Sequence, residues 1–134
     1  LKRGLSLAEV VLAVALLATT VLTVMAIFTI GIRLSGQNRD SVAATQLGNS
    51  LLEKLVSGQV PIPAAAVFDG SVPQAQVAGF PPAPYPKQTI DQNEYTFWVS
   101  SSPVAGLTDV VMVIVEVRWH GGKNVRLQSF YYRP

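Results

Sequence analysis

Residues 5–32 read LSLAEVVLAVALLATTVLTVMAIFTIGI, and the rest of the chain is read outward from them. From Val10 to Ile32 no side chain is charged, and Arg33 closes the run. As a helix rising about 1.5 Å per residue, these 23 residues span roughly 35 Å. A bilayer core is about 30 Å thick, so the segment can cross it with some tilt. Glu9 sits inside the apolar segment, where a carboxylate is costly and usually functional. Lys2 and Arg3 precede it. The positive-inside rule keeps that pair cytoplasmic and places the chain beyond Arg33 on the far side.

Three readings of the stretch compete. A cleavable secretory signal has an apolar region of only about 7–15 residues, followed by a small-x-small site. Ala13-Val14-Ala15 has that form, but a cut there would bisect the run. A plain membrane anchor explains the length and the flanking charges but gives Glu9 no purpose, unless it snorkels to the interface. The third reading starts from Gly4-Leu5-Ser6-Leu7-Ala8-Glu9 behind a basic pair. This resembles the type IV prepilin motif: a basic leader, a glycine, an apolar residue, a small hydroxyl residue and a glutamate at this spacing. Ala8 departs mildly from the pattern, where a bulkier aliphatic is commoner.

The resemblance implies that a prepilin peptidase cuts between Gly4 and Leu5 and methylates the new amine of Leu5. It also implies that the helix serves first as a membrane anchor and then as the core of a fibre. Glu9 would meet the Leu5 amine of a neighbouring subunit and set axial register. A buried charge pair is tolerable where a lone charge is not. The implied partners are other pilins or pseudopilins through this helix, the prepilin peptidase and an inner-membrane assembly platform. The implied location is the bacterial inner membrane, N-terminus cytoplasmic, and then a pilus or pseudopilus.

Composition bounds the alternatives. Apolar residues make up 49% of the 134 and charged ones 13%, against about 25% charged in ordinary soluble domains. The formal net charge is +2, and without Lys2 and Arg3 the side chains sum to zero, so charge gives a nucleic-acid partner no support. Cysteine is absent, which excludes disulfides and thiolate metal sites. Many major pilins close a loop with a disulfide, so the resemblance points toward a minor subunit.

Beyond Arg33 the pattern predicts continued helix to about residue 57. No proline interrupts it, and Ala44, Leu47, Gly48, Leu51, Leu52 and Leu55 fall on one face. Between Arg33 and Val42 that face carries Gln37 and Asp40, so this part is not expected to pack on the chain's own core. Gly58 suits a helix stop. Residues 58–93 hold seven of the nine prolines and predict an ordered but irregular connection. Within it, 66–68 is a candidate edge strand, and Phe68, Phe80 and Tyr85 are candidate anchors onto the core. Such a loop can instead serve as a surface for partner contact.

Three strands are predicted after it. EYTFWVSS (94–101) alternates, with Tyr95, Phe97 and Val99 on one face. VVMVIVEVRW (110–119) is apolar on both faces at first, as a central strand is. VRLQSFYY (125–132) follows the turn at His120-Gly121-Gly122-Lys123. The expected fold is α+β: a long N-terminal helix whose second half packs on an antiparallel sheet of three to four strands. The expected organisation is leader 1–4, membrane or fibre-core helix 5–33, amphipathic helix 34–57, proline-rich connection 58–93 and strands 94–134. This layout is pilin-like, most similar to V-type minor pilins or the I-type minor pseudopilin of type II secretion.

Motifs for chemistry are lacking. His120 is the only histidine and stands in a predicted turn. There is no HExxH, no glycine-rich loop with a lysine, and no calcium-loop repeat. No enzyme, cofactor or metal is expected. Glu116 and Arg118 read as a surface pair on one strand face. The expectation is a fibre subunit. The alternative is a single-pass anchored extracytoplasmic domain that does not polymerise.

Overall fold

A computed structural model describes residues 6–72 and 79–133. The order is one helix, α1 (Leu7–Val56), then strands β1 (Ala66–Asp69), β2 (Lys87–Ile90), β3 (Asn93–Pro103), β4 (Val110–Trp119) and β5 (Lys123–Tyr132). The fold is α+β, with a long helix and one antiparallel sheet. By its contacts the chain divides into two units, Leu1–Arg39 and Asp40–Pro134.

The first unit contains the start of α1, and every described residue of it is exposed. In the second unit, α1 buries Ala44, Leu47, Gly48, Leu51 and Leu55, while Leu52 is half-buried. The helical period of the sequence thus becomes the packing face. The face rests on the inner side of the sheet. Tyr95, Phe97 and Val99 of β3 and Val113, Val115 and Val117 of β4 are almost fully buried there. Gly48 permits the close approach: a Cβ there would lie 2.7 Å from Leu127 Cδ1 and 3.2 Å from Val117 Cγ2. Gly58, with φ +77°, follows the helix end. Only glycine adopts that backbone readily.

The sheet has five strands rather than three or four, because the proline-rich connection supplies two short ones. In sheet order β1, β3, β4 and β5 are neighbours, and β2 also pairs with β3. β4 occupies one edge of β3 from Thr96 to Pro103, so β1 and β2 lie end to end along the other. β4 is central, as its doubly apolar pattern predicts. β2 and β3 are joined by Asp91 and Gln92, both at positive φ (48° and 69°), the backbone of a tight hairpin turn. No glycine marks that turn in the sequence.

Where β1 stops, Gly70 N–H donates to Phe97 O at 2.8 Å, and Phe97 N–H donates to Pro86 O at 2.8 Å. The gap between the two half-strands is thus closed by backbone hydrogen bonds. Phe68, Phe80 and Tyr85 are buried, as the sequence suggests, and Phe80 and Tyr85 belong to the core cluster. Tyr85 packs edge-on against Phe97 with ring centroids 4.5 Å apart. Lys54 of α1 lies over the Tyr85 ring at 5.4 Å.

Two substitutions test this packing. A fragment spanning 34–134 contains the helix face and all five strands and is expected to be soluble and folded. In it, Leu51→Ala lowers stability by about 2–5 kcal/mol, the range for truncating a filled core leucine. Gly70→Ala is also destabilising, by about 1–3 kcal/mol. Its new Cβ would meet Phe97 O, Pro86 O and Pro86 Cβ, each at 2.8 Å, and two of these are backbone atoms that cannot swing away. Urea denaturation followed by tryptophan fluorescence measures both; wild-type stability for either variant contradicts the packing described.

Candidate functional site

Of the residues singled out by sequence, Glu9 lies at the start of α1. Gly4 and Leu5, the expected cleavage and methylation positions, fall outside the described residues, as do Lys2 and Arg3. Glu9 is in the first helical turn. Its carboxylate Oε2 accepts from the Ser6 backbone N–H at 2.9 Å, and the Ser6 hydroxyl oxygen accepts from the Glu9 backbone N–H at 3.3 Å. This reciprocal pair is a capping box. It satisfies two backbone donors that a helix start leaves open and puts negative charge at the positive end of the helix dipole. The signal was present in the sequence as Ser6-x-x-Glu9, and a reading that treats Glu9 only as an intramembrane charge misses it. Glu9 therefore has a role within its own chain, whatever it does between chains.

The helix beyond Glu9 is built for an apolar medium on all sides. Leu12, Leu16, Leu22, Phe28 and Ile32 are each more than 60% exposed. Threonine hydroxyls are the polar exceptions, and each bonds within the helix. Thr19, Thr20, Thr23 and Thr29 donate to the carbonyls of Ala15, Leu16, Thr19 and Met25 at 2.8–2.9 Å. Their donors therefore need no water. The segment is long and apolar enough to cross a membrane, and none of it is buried within the chain.

Among the described residues no three of His, Cys, Asp and Glu come together to hold a metal ion. His120 is exposed in the β4–β5 turn. Glu116 accepts from Arg118 Nε at 2.6 Å, confirming the expected pair. The pair has a third member that sequence did not reveal, Asp69 of β1, whose Oδ2 lies 3.6 Å from Arg118 Nη1. Asp69 and Glu116 flank Trp98 across the sheet, a proximity fixed by strand register alone. The Asp69 carboxylate also accepts from the Ser71 hydroxyl at 2.6 Å and the Ser71 amide at 3.0 Å.

With this geometry in hand, comparison with known proteins adds no identity: no family model, curated protein or solved structure matches the chain.

The Asp69 cluster gives a pH-dependent signature. The Ser71 hydroxyl, then the Ser71 amide and the Arg118 charge, hold the Asp69 carboxyl below its ordinary value of 3.8, against a partial opposing effect of burial. A carboxyl lowered in the folded state adds stability that is complete above its unfolded value and lost as pH falls through the folded one. Asp69→Asn is therefore less stable than wild type at pH 7, and the gap narrows as pH drops below about 4. Urea midpoints across pH 2–7 check this; a gap independent of pH assigns Asp69 a purely steric role.

Proposed function

We propose that the chain is a minor pilin or pseudopilin, a structural subunit of a type IV pilus, a DNA-uptake pseudopilus or a type II secretion pseudopilus. In this reading it enters the inner membrane through the apolar part of α1, with its N-terminus cytoplasmic and the sheet-bearing unit extracytoplasmic. The prepilin peptidase removes everything up to Gly4 and methylates Leu5. The assembly platform then moves the helix from lipid into a fibre, where it packs on the helices of other pilins. It is not an enzyme.

The observation that carries the reading is the exposed apolar part of α1, up to Ile32, with a single carboxylate, Glu9, in its first turn. An apolar helix gains little by leaving lipid for other apolar helices, so transfer into a fibre requires an interaction that lipid lacks. A charge pair between Glu9 and a neighbouring subunit's amine is such an interaction. Glu9 Oε2 is already directed to the amide of Ser6, next to Leu5 in sequence.

The second reading is a single-pass anchored domain that does not polymerise. The capping box favours it, because it accounts for Glu9 without a partner.

Glutamine separates pairing between subunits from capping, since it closes a capping box as glutamate does but carries no charge. If Glu9 pairs between subunits, Glu9→Gln and Glu9→Ala both lose incorporation into sheared fibres at unchanged membrane levels. If Glu9 only caps within a fibre subunit, Glu9→Gln is incorporated as wild type and only Glu9→Ala is impaired; if the chain does not polymerise, wild type itself is missing from sheared fibres. Leu7→Ile serves as the control.

Processing is tested independently by intact mass. Membrane-extracted protein from cells with an active prepilin peptidase is expected to begin at Leu5 and carry one added methyl. Gly4→Val is expected to block the cut. An intact Gly4–Leu5 bond in the wild type removes the pilin assignment.

A further inference from the structure

α1 is one unbroken helix, but its glycines are not alike. At Gly48 a Cβ would meet Leu127 and Val117, so the sheet explains the missing side chain. At Gly36 a Cβ would meet nothing within 4 Å. Glycine there weakens the helix relative to alanine and gains no packing in return. Gly36 stands in RLSGQN (33–38), and all six of these residues are exposed. Ser35 and Asn38 are also poorer helix formers than alanine. No acid lies three or four positions from Arg33 or Arg39, so no helical ion pair braces this turn.

The helix on either side of 33–38 is held. Toward the N-terminus, Val10 to Ile32 carries no charge, and its threonine hydroxyls bond within the helix. In an apolar medium a broken helical hydrogen bond finds no water to replace it, so opening is blocked there, Gly31 included. Toward the C-terminus, Asn93 Nδ2 donates to Asp40 Oδ1 at 3.1 Å, and Ala44 is fully buried in the core cluster. The β2–β3 turn that presents Asn93 holds Asp91 and Gln92 at positive φ, a backbone that residues other than glycine adopt at a cost. A turn strained at two residues thus carries the side chain that fixes α1 one helical turn before its packed face.

We propose that residues 33–38 form a conformational joint: the turn of α1 around Gly36 opens while the helix on both sides stays intact. Opening it exposes backbone groups that already lie at the surface, and water takes over their hydrogen bonds. No hydrogen bond inside the apolar run is broken, and no apolar contact beyond Asp40 is lost. The joint lets the chain bend immediately outside the apolar medium. It rests on the apolar run lying in a membrane and not on assembly into a fibre.

Residue-resolved amide exchange on the full chain in dodecyl maltoside micelles tests this. The amides of Gln37 and Asn38 are expected to be at least tenfold less protected than those of Leu47–Leu55, while those of Val14–Ile30 stay protected. Gly36→Ala should raise protection at Gln37 and Asn38 roughly fivefold, because alanine adds helix propensity and its Cβ has open space. The urea midpoint of the sheet should not move with it. Gly31→Ala, inside the apolar run, should leave Gln37 and Asn38 unchanged. Equal protection from Arg33 to Leu55, or no response to Gly36→Ala, removes the joint and leaves the membrane placement standing. A urea midpoint that rises with Gly36→Ala makes the effect global and overturns the proposal. Equal effects of Gly31→Ala and Gly36→Ala overturn it by assigning the opening to fraying of the whole span. Self-association in micelles that Gly36→Ala abolishes makes Gly36 a contact for a second helix, which also overturns it. Exchange across Val14–Ile30 as fast as at Asn38 removes the membrane placement and the proposal with it.

Discussion

The sheet-bearing unit depends on the seam where Leu47, Gly48, Leu51 and Leu55 meet the inner faces of β3, β4 and β5. With no cysteine in the chain, no covalent link reinforces the contact, and apolar burial must hold it. Gly48 gives up helix propensity, on the order of 1 kcal/mol against alanine, to let α1 approach Val117 and Leu127. The seam covers β4 fully but β5 only by half, and a groove beside Leu52 and Val56 lies along that uncovered margin. The same packing that stabilises the unit thus leaves one side of it unfinished.

α1 carries two surfaces with opposite requirements. Before Arg33 its side chains are apolar all round and its threonines bond inward; from Ala44 onward one stripe is apolar and the opposite face polar. A uniform apolar surface suits lipid or a bundle of like helices, whereas a stripe suits one sheet. The residues between, including Arg39 and Asp40, belong to neither pattern, and the boundary between the two units falls among them.

Much of the architecture was legible because it rests on periodicity. The 3.6-residue stripe from Ala44 to Leu55 and the two-residue alternation of Tyr95, Phe97 and Val99 each point to one buried face, and both faces are buried as read. β2 was not legible: Lys87–Ile90 is short, follows Pro86, and its turn uses Asp91 and Gln92 at positive φ without a glycine. The Asp69–Arg118–Glu116 cluster was half legible, since Glu116 and Arg118 are two apart on one strand while Asp69 arrives through β1–β3 register. At the helix start the situation is reversed. Ser6-x-x-Glu9 is a local pattern with a local explanation, but the apolar context drew attention to the charge rather than the cap.

The end-to-end placement of β1 and β2 has a consequence for how the chain can vary. Gly70 and Pro86 are both bonded to Phe97, so the segment between them leaves and rejoins the sheet at the same residue. Phe80 and Tyr85 fix its returning part in the core. A loop with anchored ends pays for added length only logarithmically, about 0.6 kcal/mol for each doubling. Insertions there would leave the register of every strand untouched. The proline-rich connection is thus the place where related chains can diverge in length and surface while keeping one scaffold.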